Sequence, residues 1–211
     1  MSDAELLAET AHQLRNHLQL LALRLDRLGR HVRDPGEQVY AAAVADVQNL
    51  RETVEALLGD PAPAVVDAAA VVRERIRGFG DAAAGRMRVG PLVAAPVRIA
   101  PGRLEQIVDV LVDNAIRHAD PAVFTVSVHA EGRSAAVEVA DLGAGLSEAE
   151  RGLAPGRGWR GSGSPAGGTG LGLTLAARLL AEAGGRLDLA AGARGAGLRA
   201  VARLPLTDPP G

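Results

Sequence analysis

The stretch VLVDNAIRHAD, Val110 to Asp120, sets a single asparagine inside an apolar helical run. From Arg103 to His118 the apolar spacing predicts a helix, and Asn114 falls among Leu111, Val112, Ala115 and Ile116. An amide in that company is costly unless it has partners. Its carbonyl oxygen is a hard ligand suited to magnesium, and Arg117, one turn on, can reach the same phosphate groups. A helix-capping or core-satisfied asparagine fits the same residues equally.

Downstream, FTVSV places Phe124, Val126 and Val128 on one face and AVEVAD places Val137 and Val139 likewise, so two half-buried strands are expected. DLGAGL, Asp141 to Leu146, ends the second of them. Gly143 and Gly145 permit positive φ or a close approach to a ligand, and Asp141 offers a carboxylate able to accept from an exocyclic amine. A plain turn is the alternative. A loop of Gly, Ser, Pro and Arg is expected over 143–168, long enough to read as a functional lid. GGTGLGL, Gly167 to Leu173, then opens a helix expected over Thr169 to Ala183. Glycines at a helix start expose N–H groups at the positive end of the dipole, a ready site for phosphate oxygens or simply a hinge. The stretch is neither a Walker loop nor a Rossmann fingerprint. GRLDLAAG and GLRAVARLPL close the chain as a hairpin.

Upstream, Val65 to Phe79 reads as a helix, with RMRVGPL and APVRIA as short strands. Before Ala64 the pattern differs. Leu7, Ala11, Leu14, Leu18, Leu21, Leu25, Leu28 and Val32 recur in alternating steps of four and three, the spacing of a bundle seam. Pro35 and Gly36 break that helix, and a second runs from Val39 to Leu58. A lone helical hairpin cannot cover both apolar faces, so two are expected to pair as a four-helix bundle in a homodimer. The fold class is therefore α+β, with a helical hairpin over 1–60 and a mixed α/β domain over 64–207.

Composition bounds the function. The 211 residues carry a net charge of -2, with 23 Lys plus Arg spread along the chain, which leaves no footprint for nucleic acid. The absence of cysteine excludes disulfides and thiolate chemistry and fits a cytoplasmic protein. No apolar run approaches the roughly 20 residues that span a bilayer, so input is expected from an upstream segment or a separate sensor. Aromatic residues are 2% of the chain, leaving the core to Leu, Val and Ala.

The order of these motifs is more specific than any one of them. An asparagine helix, a strand pair, Asp-x-Gly-x-Gly, a glycine-rich lid and a Gly-Thr-Gly-Leu-Gly-Leu helix resemble the ATP-binding domain of the GHKL superfamily, as found in sensor histidine kinases. The resemblance runs from about Ala64 to Leu206 and implies an α/β sandwich. DNAIRHAD resembles the N box, DLGAG the G1 box and GGTGLGL the G2 box. The resemblance implies that Asn114 coordinates Mg2+ and that Arg117 and His118 contact the nucleotide. It further implies that Asp141, with Gly143 and Gly145, receives the adenine of ATP, and that Gly168, Thr169, Gly170, Leu171 and Gly172 hold the phosphates. Upstream, HQLRNHLQLL is similar to the H box, with His12 as phosphoacceptor and Gln13 and Asn16 beside it. At about 100° per residue His12 points away from the seam, where a neutral imidazole is a competent nucleophile. The implied activity is a histidine kinase that passes its phosphoryl group to a response-regulator receiver domain.

Four positions depart from the family pattern. His17 stands where proline is usual and becomes a second candidate acceptor; Gln13 replaces a frequent acid and cannot take a proton. Val110 takes the place of the first N-box asparagine, and the lid has Trp159 in place of an F-box phenylalanine. Two other readings share these features: a dimeric histidine phosphotransferase or scaffold with a degenerate ATP domain, and a GHKL serine kinase.

Overall fold

The computed structural model describes residues 21, 43, 46, 47 and 50, then 62–79, 83, 85–100, 102–119, 121–154 and 172–207. Leu21, Ala43, Asp46, Val47 and Leu50 are α-helical. The rest of the expected hairpin, with His12, Gln13, Asn16 and His17, lies outside the described residues.

The α/β part begins differently from its sequence reading. Val65 and Val66 belong not to a helix but to β1 (Ala64–Asp67), which pairs antiparallel with β3 (Pro96–Ile99). The helix starts only after Asp67, as α1 (Ala68–Arg77). Asp67 causes the switch: its Oδ1 accepts from the Ala69 amide at 3.1 Å as an N-cap and from the Ala95 amide at 2.8 Å. One carboxylate thereby ends the strand, starts the helix and ties both to the segment before β3.

β2 (Met87–Leu92) and α2 (Arg103–His118) follow the sequence expectation. β4 (Phe124–Glu131) and β5 (Ser134–Asp141) form a hairpin whose turn, Gly132 and Arg133, uses Gly132 at φ +59°. The glycine-rich stretch after β5 is not structureless throughout, because α3 (Glu148–Leu153) occupies part of it. Ser147 and Glu150 make a reciprocal capping box, a signature present in the sequence but masked by the surrounding glycines. α4 (Gly172–Glu182) precedes the closing hairpin of β6 (Arg186–Ala191) and β7 (Leu198–Pro205).

Five strands form one mixed sheet in the order β2-β4-β5-β7-β6, with β2 parallel to β4 and the other pairs antiparallel. Its inner rows, Phe124, Val126 and Val128 on β4, Ala135, Val137 and Val139 on β5, and Ala200, Ala202 and Leu204 on β7, pack against Val72 and Ile76 of α1, Leu104, Ile107, Val108 and Leu111 of α2, and Leu179 and Leu180 of α4. The result is a two-layer sandwich with three helices over one sheet face. On the outer face Arg199 pairs with Glu138, and Arg203 bridges Glu131 and Asp188. Among the described residues no helix is long and apolar enough to cross a membrane.

One charge pair crosses the helical layer. Arg75 of α1 grips Asp109 of α2 through Nε to Oδ1 at 2.6 Å and Nη2 to Oδ2 at 2.5 Å, and Asp109 is only 3% exposed. A bidentate guanidinium is what makes a buried carboxylate tolerable. Asp109→Asn keeps the shape but loses the charge, and it is expected to lower stability by about 1–2 kcal/mol, less than a fully buried pair because Arg75 can turn toward water. Urea unfolding of the variant and the parent measures this as a lower midpoint at unchanged slope.

Candidate functional site

Strand alternation places the site's carboxylate indoors. Asp141 continues the inner row of Ala135, Val137 and Val139 and is 5% exposed. Burial of a carboxylate demands donors, and two backbone amides supply them: Gly143 at 2.8 Å and Leu198 at 3.2 Å. Both donate to Oδ1. Among the described residues Oδ2 receives no bond, so its acceptor capacity is free for a ligand amine.

The glycines after Asp141 serve close packing. A Cβ on Gly143 would lie 2.8 Å from Ala119 Cα and 2.9 Å from the His118 carbonyl oxygen, so this turn rests directly on the end of α2. Gly145 has φ +68°, and a side chain there would meet the Gly197 carbonyl. The close approach expected of both glycines is therefore to the protein's own backbone. Arg86 fixes the same corner by donating from Nη2 to the Ile116 carbonyl at 3.0 Å, which satisfies an acceptor in the last turn of α2.

α4 arrives at the other side of α2. A Cβ on Gly172 would sit 3.4 Å from Val110 Cγ1, and Glu182 lies 3.6 Å from Arg103. The two helices therefore run antiparallel, with the start of α4 beside Val110. Asn114 is one turn beyond Val110 on the same face, in the direction toward which the positive end of α4 opens. Asn114 is half-buried in the interior of α2, and its side chain makes no hydrogen bond among the described residues. It lies in the helix interior rather than at a cap.

Arg117 is held by Asp113, Nη2 to Oδ2 at 2.5 Å, and burial pushes its guanidinium down to about 10. His118, the last residue of α2, is exposed over part of its surface and crowded on the rest. That crowding first, and the Arg117 charge second, push its imidazole below the ordinary value, while Asp141 pulls it back. The folded protein thus binds this proton at lower pH than the unfolded chain does, so stability rises with pH between the lowered midpoint and about 6.5. Proton NMR titration is expected to place the His118 midpoint below 6.5, and His118→Gln to flatten that part of the stability profile.

The structure therefore brings Asn114, Arg117, His118, Asp141, Gly143, Gly145 and Gly172 together around α2. Gly168, Thr169, Gly170 and Leu171 lie outside the described residues. Sequence reasoning missed Gly197 and the Leu198 amide; their signal was the glycine run GARGAG before β7, which reads as an ordinary hairpin turn. Among the described residues no three His, Asp or Glu side chains could hold a metal.

Residues 99–208 match the histidine kinase-, DNA gyrase B- and HSP90-like ATPase family. The chain belongs to that family. Solved histidine-kinase structures share the fold of this ATPase. The mycobacterial sensor histidine kinase MprB superposes with a TM-score of 0.61 at 22% identity, over 70% of this chain and 99% of that one. The histidine kinase domain of the E. coli osmosensor EnvZ gives 0.53 at 25% identity, over 72% and 93%. Full-length ShkA in complex with AMPPNP gives 0.60 at 21% identity, covering all of this chain and 47% of that one. No curated protein matches the sequence. The family match and the shared fold support a histidine-kinase-type ATPase core for the α/β part of the chain.

Proposed function

We propose that this chain is a dimeric, cytoplasmic histidine kinase of a two-component system. In this reading residues 1–60 are the dimerisation and phosphotransfer hairpin and residues 64–207 the ATP-binding domain. The observation that carries it is the meeting on α2 of the Asp141 turn and the start of α4, around an Asn114 amide that makes no bond among the described residues. Asp141 Oδ2 accepts from the adenine amino group, the amides at the start of α4 face the phosphates, and Asn114 Oδ1 is the protein oxygen for Mg2+. Arg117 adds positive charge beside them. Magnesium, when bound, neutralises charge on the phosphates.

His12 supplies the nucleophile. A ring nitrogen of neutral His12 forms a bond to the γ-phosphorus as the bond to the β,γ-bridging oxygen breaks, and ADP leaves with that electron pair. The ring proton passes to solvent, since Gln13 cannot accept it. The phosphoryl group then moves from nitrogen to an aspartate oxygen of a response-regulator receiver domain. The fold's occurrence in a ShkA structure holding AMPPNP supports the nucleotide assignment.

Incubation with γ-labelled Mg-ATP tests the reading. The expected product is an acid-labile, alkali-stable label that chases onto a receiver domain. Measurable ATP binding without label would replace this reading with a phosphotransferase or scaffold; alkali-labile, acid-stable label on a partner would replace it with a serine kinase.

A further inference from the structure

The turn between β6 and β7 closes on Asp141 from behind. Gly192 donates to the Gly197 carbonyl at 3.1 Å, a 3-10 turn spans Ala193–Gly195, and Leu198 then presents its amide to Asp141 Oδ1 at 3.2 Å. Three glycines shape this turn, but they differ in what surrounds them. Gly195 (φ +81°) has nothing within 4 Å of where a Cβ would stand. A Cβ on Gly197 (φ +72°) would collide with the Asp141 main-chain carbonyl and come within 2.7 Å of Asp141 Oδ1. Gly192 is likewise blocked by Ala196 and by the Asp141 carbonyl.

We propose that Gly197 is a positioning residue for the Asp141 carboxylate. Lacking a Cβ, it lets the turn settle against Asp141 so that the Leu198 amide, together with that of Gly143, pins Oδ1 and keeps Oδ2 available to the purine amine. Base selectivity is then set partly from a turn that follows β6, its Leu198 amide 57 residues after the carboxylate it holds. The carboxylate of Asp141 could otherwise rotate about its last torsion, which is broad, and offer either oxygen or neither. This inference rests on the adenine reading of Asp141.

The test compares Gly197→Ala with Gly195→Ala, which carries the same left-handed strain without the collision. Each is titrated with ATP and with inosine triphosphate, which has a carbonyl oxygen in place of the amine. In Gly197→Ala the ATP affinity is expected to fall about tenfold while inosine triphosphate changes less than about twofold; Gly195→Ala keeps the wild-type ratio. A Gly197→Ala protein that keeps its ATP preference overturns the positioning role and leaves the adenine reading intact. A wild type that does not distinguish the two nucleotides overturns the adenine reading and this inference together. Should Gly197→Ala not fold, NMR of the wild type decides: the Leu198 amide resonance is expected to move with ATP and not with inosine triphosphate, and equal movement, or none, overturns the proposal.

Discussion

His12→Gln is expected to abolish labelling from γ-labelled ATP, by at least about a thousandfold, while His17→Gln retains most of it. Glutamine keeps the length, helix compatibility and hydrogen-bonding capacity of the histidine, but its amide nitrogen has no lone pair free to attack phosphorus. The helical geometry separates the two histidines. On the helix that the heptad spacing predicts, with Leu14 as origin, Leu18 and Ala11 lie about 40° and 60° away on one side. His17 lies about 60° to the other side, flanking the seam, and His12 is about 160° round, on the face most remote from it. Since the histidines are about 140° apart, an ATP-binding domain placed to deliver a phosphoryl group to one is badly placed for the other. Label lost with His17→Gln and kept with His12→Gln would move the acceptor to His17. Label kept in both variants and also in the His12→Gln, His17→Gln double variant would remove both histidines from the reaction.

Much of the ATP-binding fold was legible because its elements bury one face each. Leu104, Ile107, Val108, Leu111, Val112 and Ala115 recur at helical spacing, and the observed α2 has the expected bounds. Phe124, Val126 and Val128 alternate, and the observed β4 faces them inward. The misreadings came where a side chain's hydrogen bond overrode the apolar pattern. Val65 and Val66 continue smoothly into a helical run, and only the tertiary partner of Asp67, the Ala95 amide, explains why the chain is extended up to that residue. α3 was hidden because Gly152 and the surrounding small residues outweighed a capping box of two side chains.

The site was legible in part for a different reason. Asn114, Asp141, Gly143 and Gly172 stand out as polar or unbranched residues where the pattern calls for apolar ones, and the fold does bring them to one helix. Invisible in the sequence were the groups that act through the backbone. Leu198 looks like the first apolar residue of a strand, yet its amide holds Asp141. Gly197 looks like turn chemistry, yet the space it leaves is occupied by Asp141. Asp109 is buried within α2, and its bidentate partner Arg75 stands 34 residues earlier, beyond the reach of any local pattern.

Asp141→Asn is expected to weaken ATP binding by about a hundredfold and to reverse the preference between ATP and inosine triphosphate. The argument follows from which oxygen the protein uses. Gly143 and Leu198 donate to Oδ1, so an asparagine at this position is driven to place its carbonyl there and its NH2 group where Oδ2 stood. A donor then faces the donor of the adenine amine, and a charge-assisted acceptor has been lost at a site that is 5% exposed to water. Inosine triphosphate presents a carbonyl oxygen at the same place and gains a partner. Because the two backbone donors remain satisfied, thermal stability should change little, which distinguishes this variant from Asp141→Ala, where both amides lose their acceptor and the 192–198 turn loosens. Calorimetric titration with the two nucleotides, alongside a thermal melt, reads both effects. Unchanged ATP affinity in Asp141→Asn would mean that the purine amine is recognised elsewhere, and the reading of Oδ2 as its acceptor would be wrong.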